Sequence, residues 1–175
     1  MKGVDLPMTS YDIIFTPFQE KIVQDMDFFI YDGLDDTQTK EIITRRCTNY
    51  LNKSVMEFKA KSRSNVDFDN RDKDLKTFNF ELHNDEIDIF VDLMFIEHMS
   101  QDIARLKMIS PYFSESEITR VFSPASERKS YLEMINTLKK EVEQKIKTYN
   151  GRDRETGKIK LPNYDVTKIG ANYVN

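Results

Sequence analysis

The stretch from Asn84 to Ile109 constrains this chain more than any other. Ile87, Phe90, Val91, Met94 and Phe95 fall on one helical stripe, and Ile89, Leu93, Ile96, Ile103 and Leu106 fall on a second. A helix that is apolar on nearly all sides must be covered on nearly all sides, so this segment is expected to be the central helix of its fold. Asp85, Glu86 and Asp88 crowd its first turn and Arg105 and Lys107 its last, as the helix dipole favours. It carries Asp88, Asp92 and Glu97, and a bilayer would not accept them in a spanning helix.

Two amphipathic segments are available to cover it. The first opens at Asp35-Asp36 and runs to about Ala60, with Ile43, Cys47, Tyr50, Leu51, Val55 and Phe58 at spacings of three and four. The second runs from Pro124 to about Asn150 and puts Tyr131, Ile135, Leu138, Val142, Ile146 and Tyr149 on one face. Ser123-Pro124 supplies its cap and first position, and Asn150-Gly151 ends it. Nearer the N-terminus, Tyr11–Phe15 reads as extended. A short helix then starts at Thr16-Pro17, with Gln19 completing a Thr-x-x-Gln capping box. Phe28, Phe29, Ile30 and Tyr31 are expected to pack in the connection after it.

Lys61–Lys76 alternates basic and acidic residues and reads as an exposed loop. Asn65-x-Asp67-x-Asp69 superficially opens a calcium loop. Its sixth position is Asn70 rather than Gly, however, and its twelfth is Lys76 where a bidentate Glu is required. Phe78-Asn79-Phe80-Glu81-Leu82 alternates apolar and polar, as a short strand or an extended lead-in to the central helix. Beyond Gly151 the helical period stops. Arg152–Leu161 has the composition of a small hairpin, and the rest reads as an arm. The expected architecture is mainly α: a helical bundle around a buried central helix over residues 1–150, then an extended C-terminal arm over 151–175.

The chemistry-bearing residues are few. Cys47 is the sole cysteine, which excludes an intrachain disulfide and a cysteine metal cluster, and its helical setting makes it a small core residue. Of the two histidines, His98 lies in the central helix and reads as a buried structural residue, while His83, with Glu86 three residues on, reads as part of a cap. No phosphate-binding glycine loop or nucleophile elbow occurs, and no His-x-x-x-His pair. No catalytic, metal or cofactor residue is expected. The N-terminus lacks an apolar run of signal-peptide length, so a reducing cytoplasm is the expected setting before any assembly.

Charge is unevenly placed. Residues 1–44 carry three basic and nine acidic side chains, a balance of −6, and residues 145–175 carry seven basic and three acidic, a balance of +4. Such a split suits docking between unlike surfaces. Arg152, Arg154, Lys158, Ile159, Lys160, Leu161 and Tyr164 are the candidate partner-binding residues, facing acidic surface such as Asp25, Asp27 and Asp32 of a neighbour. Removing Arg152–Asn175 should then leave the helices folded but prevent assembly.

From Phe78 to Tyr149 the chain resembles the head–tail connector (neck adaptor) proteins of tailed bacteriophages. The resemblance rests on Phe78-x-Phe80-x-Leu82 leading to Glu86-Ile87, on Leu93-Met94, Glu97 and Ile103, and on Phe122-Ser123-Pro124-Ala125-Ser126 opening a charged helix that ends Lys147-Thr148-Tyr149. The opening Tyr11-Asp12, Phe18 and Ile22 are similar to that family too. Many members have a Trp near the position of His98, and this chain does not. The resemblance implies a non-enzymatic virion protein of the neck that binds the portal protein and forms a ring of copies of itself, typically twelve. It would contact another neck or tail protein, and DNA only as contents of the lumen. Two alternatives stand beside it: a small helical nucleic-acid-binding regulator, and a different neck or tail-completion protein.

Overall fold

The structure is a computed structural model and describes residues 8–23, 33–109 and 125–160. Among them are four helices, α1 (Asp12–Lys21), α2 (Asp36–Lys61), α3 (Asn84–Ile109) and α4 (Ala125–Asn150), and a three-stranded sheet of β1 (Thr9–Ser10), β2 (Arg71–Asp72) and β3 (Thr77–Phe78). The fold is mainly α, and α3 is its hub, packing against each of the other three helices. From Ile89 to Ser100 no residue of α3 is exposed. Both stripes expected of this helix are used: Phe90 and Met94 are fully buried, and Ile89, Leu93 and Ile96 nearly so. The side chains of Arg105, Leu106 and Lys107 lie outside the described residues.

α2 begins where Asp35 and Gln38 cap it reciprocally. Asp35 Oδ1 accepts the Gln38 N–H at 2.7 Å, and Gln38 Oε1 accepts the Asp35 N–H at 3.1 Å. Its expected stripe faces the core, with Cys47, Tyr50, Leu51, Val55 and Phe58 buried and Ile43 partly so. α4 likewise buries Ile135, Val142, Ile146 and Tyr149, with Tyr131 and Leu138 at the margin. Its expected start at Ser123-Pro124 lies outside the described residues, as does the aromatic run Phe28–Tyr31.

The N-terminal segment differs from its sequence reading. Tyr11–Phe15 is not extended: the helix starts at Asp12, and Pro17 lies inside it. Thr16 and Gln19 therefore form no capping box. The reason is burial. Ile14, Phe15, Phe18 and Ile22 fall on one face with at most 5% exposure each, and Tyr11 packs beside them. Burying each such side chain contributes about 1.5–3 kcal/mol, so together they outweigh the cost of about 3 kcal/mol for an interior proline. Pro17 leaves the Ile13 carbonyl without its helical donor, and Ile13 is half exposed to solvent.

The charged stretch after α2 is also more ordered than its composition implies. Phe68 is buried at 1% exposure, and β2 pairs antiparallel with β3, which in turn pairs with β1. Thr9 and Arg71 both sit opposite Phe78, on its two sides. Phe78 brings the sheet onto α3, stacking on Phe90 at 6.0 Å between ring centroids with a 12° interplanar angle. Phe58, Phe68 and Phe80 surround that pair with edge-on contacts. A few aromatics separated by charged residues were enough to fold the segment. Asp67 and Asp69, the residues of the calcium-like pattern, both face Lys59.

Charged side chains tie the outer helices to α3. Asp92 accepts from Lys21 of α1 at 2.5 Å and from Lys145 of α4 at 2.6 Å. Glu97 pairs with Lys53 of α2. No helix among the described residues is long and apolar enough to cross a membrane.

Candidate functional site

The C-terminal candidates converge on one small element and the seat beneath it. Gly151–Lys160 forms the expected hairpin, closed by an antiparallel bridge between Arg152 and Ile159. Asp153 N–H donates to the Lys158 carbonyl at 2.7 Å, and Lys160 N–H donates to the Gly151 carbonyl at 2.8 Å. Asp153 Oδ1 orders the turn by accepting from the Thr156 N–H at 2.9 Å and its hydroxyl at 2.8 Å, and Gly157 takes the left-handed conformation that completes it (φ +65°). These Thr156 hydrogen bonds hold the Asp153 carboxyl below its ordinary pKa.

Arg154 points inward. Its Nε donates to Glu86 Oε1 at 2.8 Å and its Nη2 to Glu86 Oε2 at 3.1 Å, while Nη2 also reaches the Glu81 carbonyl at 2.6 Å. Glu86 has no solvent exposure. Its two remaining acceptor positions are taken by the Tyr149 hydroxyl, which donates to Oε1 at 2.7 Å, and by the His83 N–H, which donates to Oε2 at 2.9 Å. A carboxylate offers about four acceptor sites, so this buried charge is fully satisfied. Burial first, then the hydrogen bond to Glu86 and its charge, push the Tyr149 phenol up to about 12, against the opposing pull of Ser64 and Arg154.

Local sequence explains half of this arrangement. Glu86 stands three residues after His83, whose carbonyl accepts from the Glu86 and Ile87 N–H groups, so its carboxylate closes the start of α3 as a cap. The other half comes from α4, which delivers Tyr149, and from the hairpin, which delivers Arg154. Asn150 locks the end of α4 to the end of α2: its Oδ1 accepts the Arg63 N–H at 2.6 Å and its Nδ2 donates to the Lys61 carbonyl at 2.9 Å.

The other candidates stand differently. Arg152, Lys158 and Lys160 are exposed, and Ile159 is 73% exposed at the outer side of the hairpin. Leu161 and Tyr164 lie outside the described residues, as do Asp25, Asp27 and Asp32. Within residues 145–175 the +4 balance belongs wholly to 145–160, because 161–175 contains only Lys168 and Asp165. Two of those basic groups, Lys145 and Arg154, are engaged by Asp92 and Glu86 of the same chain. Among the candidates the outward set is therefore Arg152, Lys158, Ile159 and Lys160, with Lys147 of α4 also exposed.

Two concavities flank the hairpin. A cleft of about 150 Å³ has Arg63, Ser64, Tyr149, Arg152 and Lys160 in its wall. The C-termini of α2 and α4 meet beside it, and basic residues at helix C-termini are what the helix dipoles favour. A groove of about 400 Å³ between α3 and α4 is lined by Asp85, Asp88, Ile89, Glu141, Lys145 and Tyr149. His98 sits in neither. It is buried between Phe18 and Tyr50, with the Tyr50 hydroxyl 3.4 Å from Nδ1. Glu97, its neighbour, turns instead to Lys53 and Gln101. Among the described residues no group of three His, Cys, Asp or Glu side chains is placed to hold a metal ion.

Glu86 is the residue whose importance the sequence understated. Its place in the first turn and its spacing from His83 were legible, but its burial and its partner 68 residues away were not. Comparison with family models, with curated proteins and with solved structures finds no match to this chain.

Proposed function

We propose that the chain is a head–tail connector of a tailed bacteriophage, a non-enzymatic adaptor that binds the portal and adds a ring of copies to the neck. It would be made in the host cytoplasm and end in the virion. The observation that supports this reading best is the hairpin. Lys158, Ile159 and Lys160 are held outward on a turn whose base is pinned to the core by Arg154, so the chain presents a short, oriented, basic and apolar contact element. An adaptor needs such an element, because a head-to-tail contact repeated by rotation closes a ring only if its direction is fixed.

The outward basic groups suit acidic protein surface. Exposed ion pairs contribute about 0–1 kcal/mol each, so Ile159 and the residues after Lys160 must carry much of the contact. The nucleic-acid alternative has weaker support, since the basic cleft lies at two helix C-termini and the whole chain is acidic at −4.

Incorporation into portal-containing particles tests the proposal. Lys158→Ala with Lys160→Ala should reduce incorporation modestly, and Ile159→Asp should reduce it severely while leaving the melting transition in place. Normal incorporation of Ile159→Asp, or tight salt-dependent DNA binding that disappears with the two lysines, would overturn it.

A further inference from the structure

None of the ten residues from Gly151 to Lys160 is buried. Only Asp153 and Arg154 are even half-buried, and Asp153 is occupied within the turn itself. Ile159, the one large apolar side chain in the hairpin, faces outward. Among the described residues, Arg154 is the hairpin side chain that hydrogen-bonds to the core. That side chain enters a seat made of the Glu86 carboxylate, the Glu81 carbonyl and the ring of Phe80, whose centroid lies 5.9 Å from Cζ.

We propose that Gly151–Lys160 is a clasp that leaves the core and unfolds in one cooperative step, with Arg154 as its pin. Three observations point to this. Past the helix-end bonds that the Gly151 and Arg152 N–H groups make to the Lys147 and Tyr149 carbonyls, the hydrogen bonds of the hairpin, Asp153 to Lys158 and Lys160 to Gly151, do not involve the core, so they can break without dismantling α2, α3 or α4. The helices close on each other through separate contacts, with Asn150 joining α4 to α2 and Asp92 joining α4 to α3. The pin itself is a charged pair rather than packed apolar surface, and an opened Glu86 can be met by water where a vacated apolar pocket cannot. Elements with few buried apolar contacts are the ones that open below the global unfolding free energy.

Released and unfolded, these ten residues span up to about 33–36 Å from the end of α4. Closing the clasp also completes the cap of α3, because the same carboxylate receives Arg154 and the His83 N–H. This inference stands on the contacts of the hairpin and is independent of the connector reading.

Amide hydrogen exchange of the full chain tests it. In the native protein the Asp153 and Lys160 amides should exchange through an opening that depends weakly on denaturant, while the Met94 and Ile146 amides follow global unfolding. Arg154→Ala should speed exchange at Asp153 and Lys160 at least tenfold and leave Met94 and Ile146 unchanged. Arg154→Lys should fall between, since an ammonium cannot make the forked contact, and Arg152→Ala should match the native protein. Hairpin amides that ignore Arg154→Ala would overturn the proposal. So would native hairpin amides that share the denaturant dependence of Met94, a result that stands even if the variant does not fold.

Discussion

Tyr149 and Glu86 lie 63 residues apart and meet through a 2.7 Å hydrogen bond in which the phenol donates, so the last turn of α4 is fastened to the first turn of α3. Arg154 completes that junction from beyond the end of α4. The helical stripe stops at Tyr149, but the contacts of the folded unit continue through the hairpin. Ending the chain at Gly151 should therefore leave the helices folded and lower stability by about 1.5–3 kcal/mol, the range for hydrogen bonds to a charged group. Ending it at Lys160 should retain that increment. Denaturant titration of the two truncations separates them, and equal stabilities would show that the hairpin contributes nothing to the core.

Phe90→Ala or Met94→Ala should cost about 2–5 kcal/mol, because both side chains are fully buried where α3 meets its neighbours. Met56, on α2, is 70% exposed, and Met56→Ala should stay within about 0.5 kcal/mol. Thermal or chemical denaturation of the three variants gives the comparison. A small cost at Phe90 would mean that α3 is not the hub.

Asp92 carries a pH dependence whose sign can be worked out. Burial alone would raise its carboxyl, but hydrogen bonds and charge from Lys145 and Lys21 outweigh burial and hold it below the ordinary 3.8. The folded group thus binds its proton more weakly than the unfolded one. Its stabilisation is complete above the unfolded value and is lost as pH falls through the folded one. Asp92→Asn should cost about 1–3 kcal/mol near pH 7, and the gap from the native protein should shrink below about pH 4. Urea titrations at about pH 7 and pH 2.5 would measure it. A gap that stays constant would remove the carboxylate charge from the explanation.

Cys47 is fully buried on α2, and burial pushes its thiol up to about 11 even with Gln19 Nε2 at 4.0 Å from Sγ. Labelling by a thiol reagent should therefore proceed only through unfolding, at least about 10³-fold more slowly than in denaturant, for a domain of ordinary stability. Rapid labelling of the native chain would show that the interface of α1 with α2 opens on its own.

The sequence alone determined those parts of the fold whose causes are local and periodic. The two stripes holding Phe90 and Met94 and holding Ile89, Leu93 and Ile96 marked a covered helix, and those of Cys47–Phe58 and Ile135–Tyr149 marked faces suited to cover it. Glu155-Thr156-Gly157 marked a turn. Only the tertiary structure decided matters that depend on distant surfaces. It carried α1 back through Pro17, because a face of aliphatic and aromatic residues gained more by burial than the proline cost. It ordered Phe68 within a charged stretch, because Phe58 and Phe90 were there to receive it. It also turned Arg154 inward while leaving Lys158 and Lys160 in solvent, three basic residues that look alike in sequence. A buried charge is tolerated only where every acceptor position is filled. The groups that fill them for Glu86 come from His83, three residues away, and from Tyr149 and Arg154, which only tertiary folding brings to it.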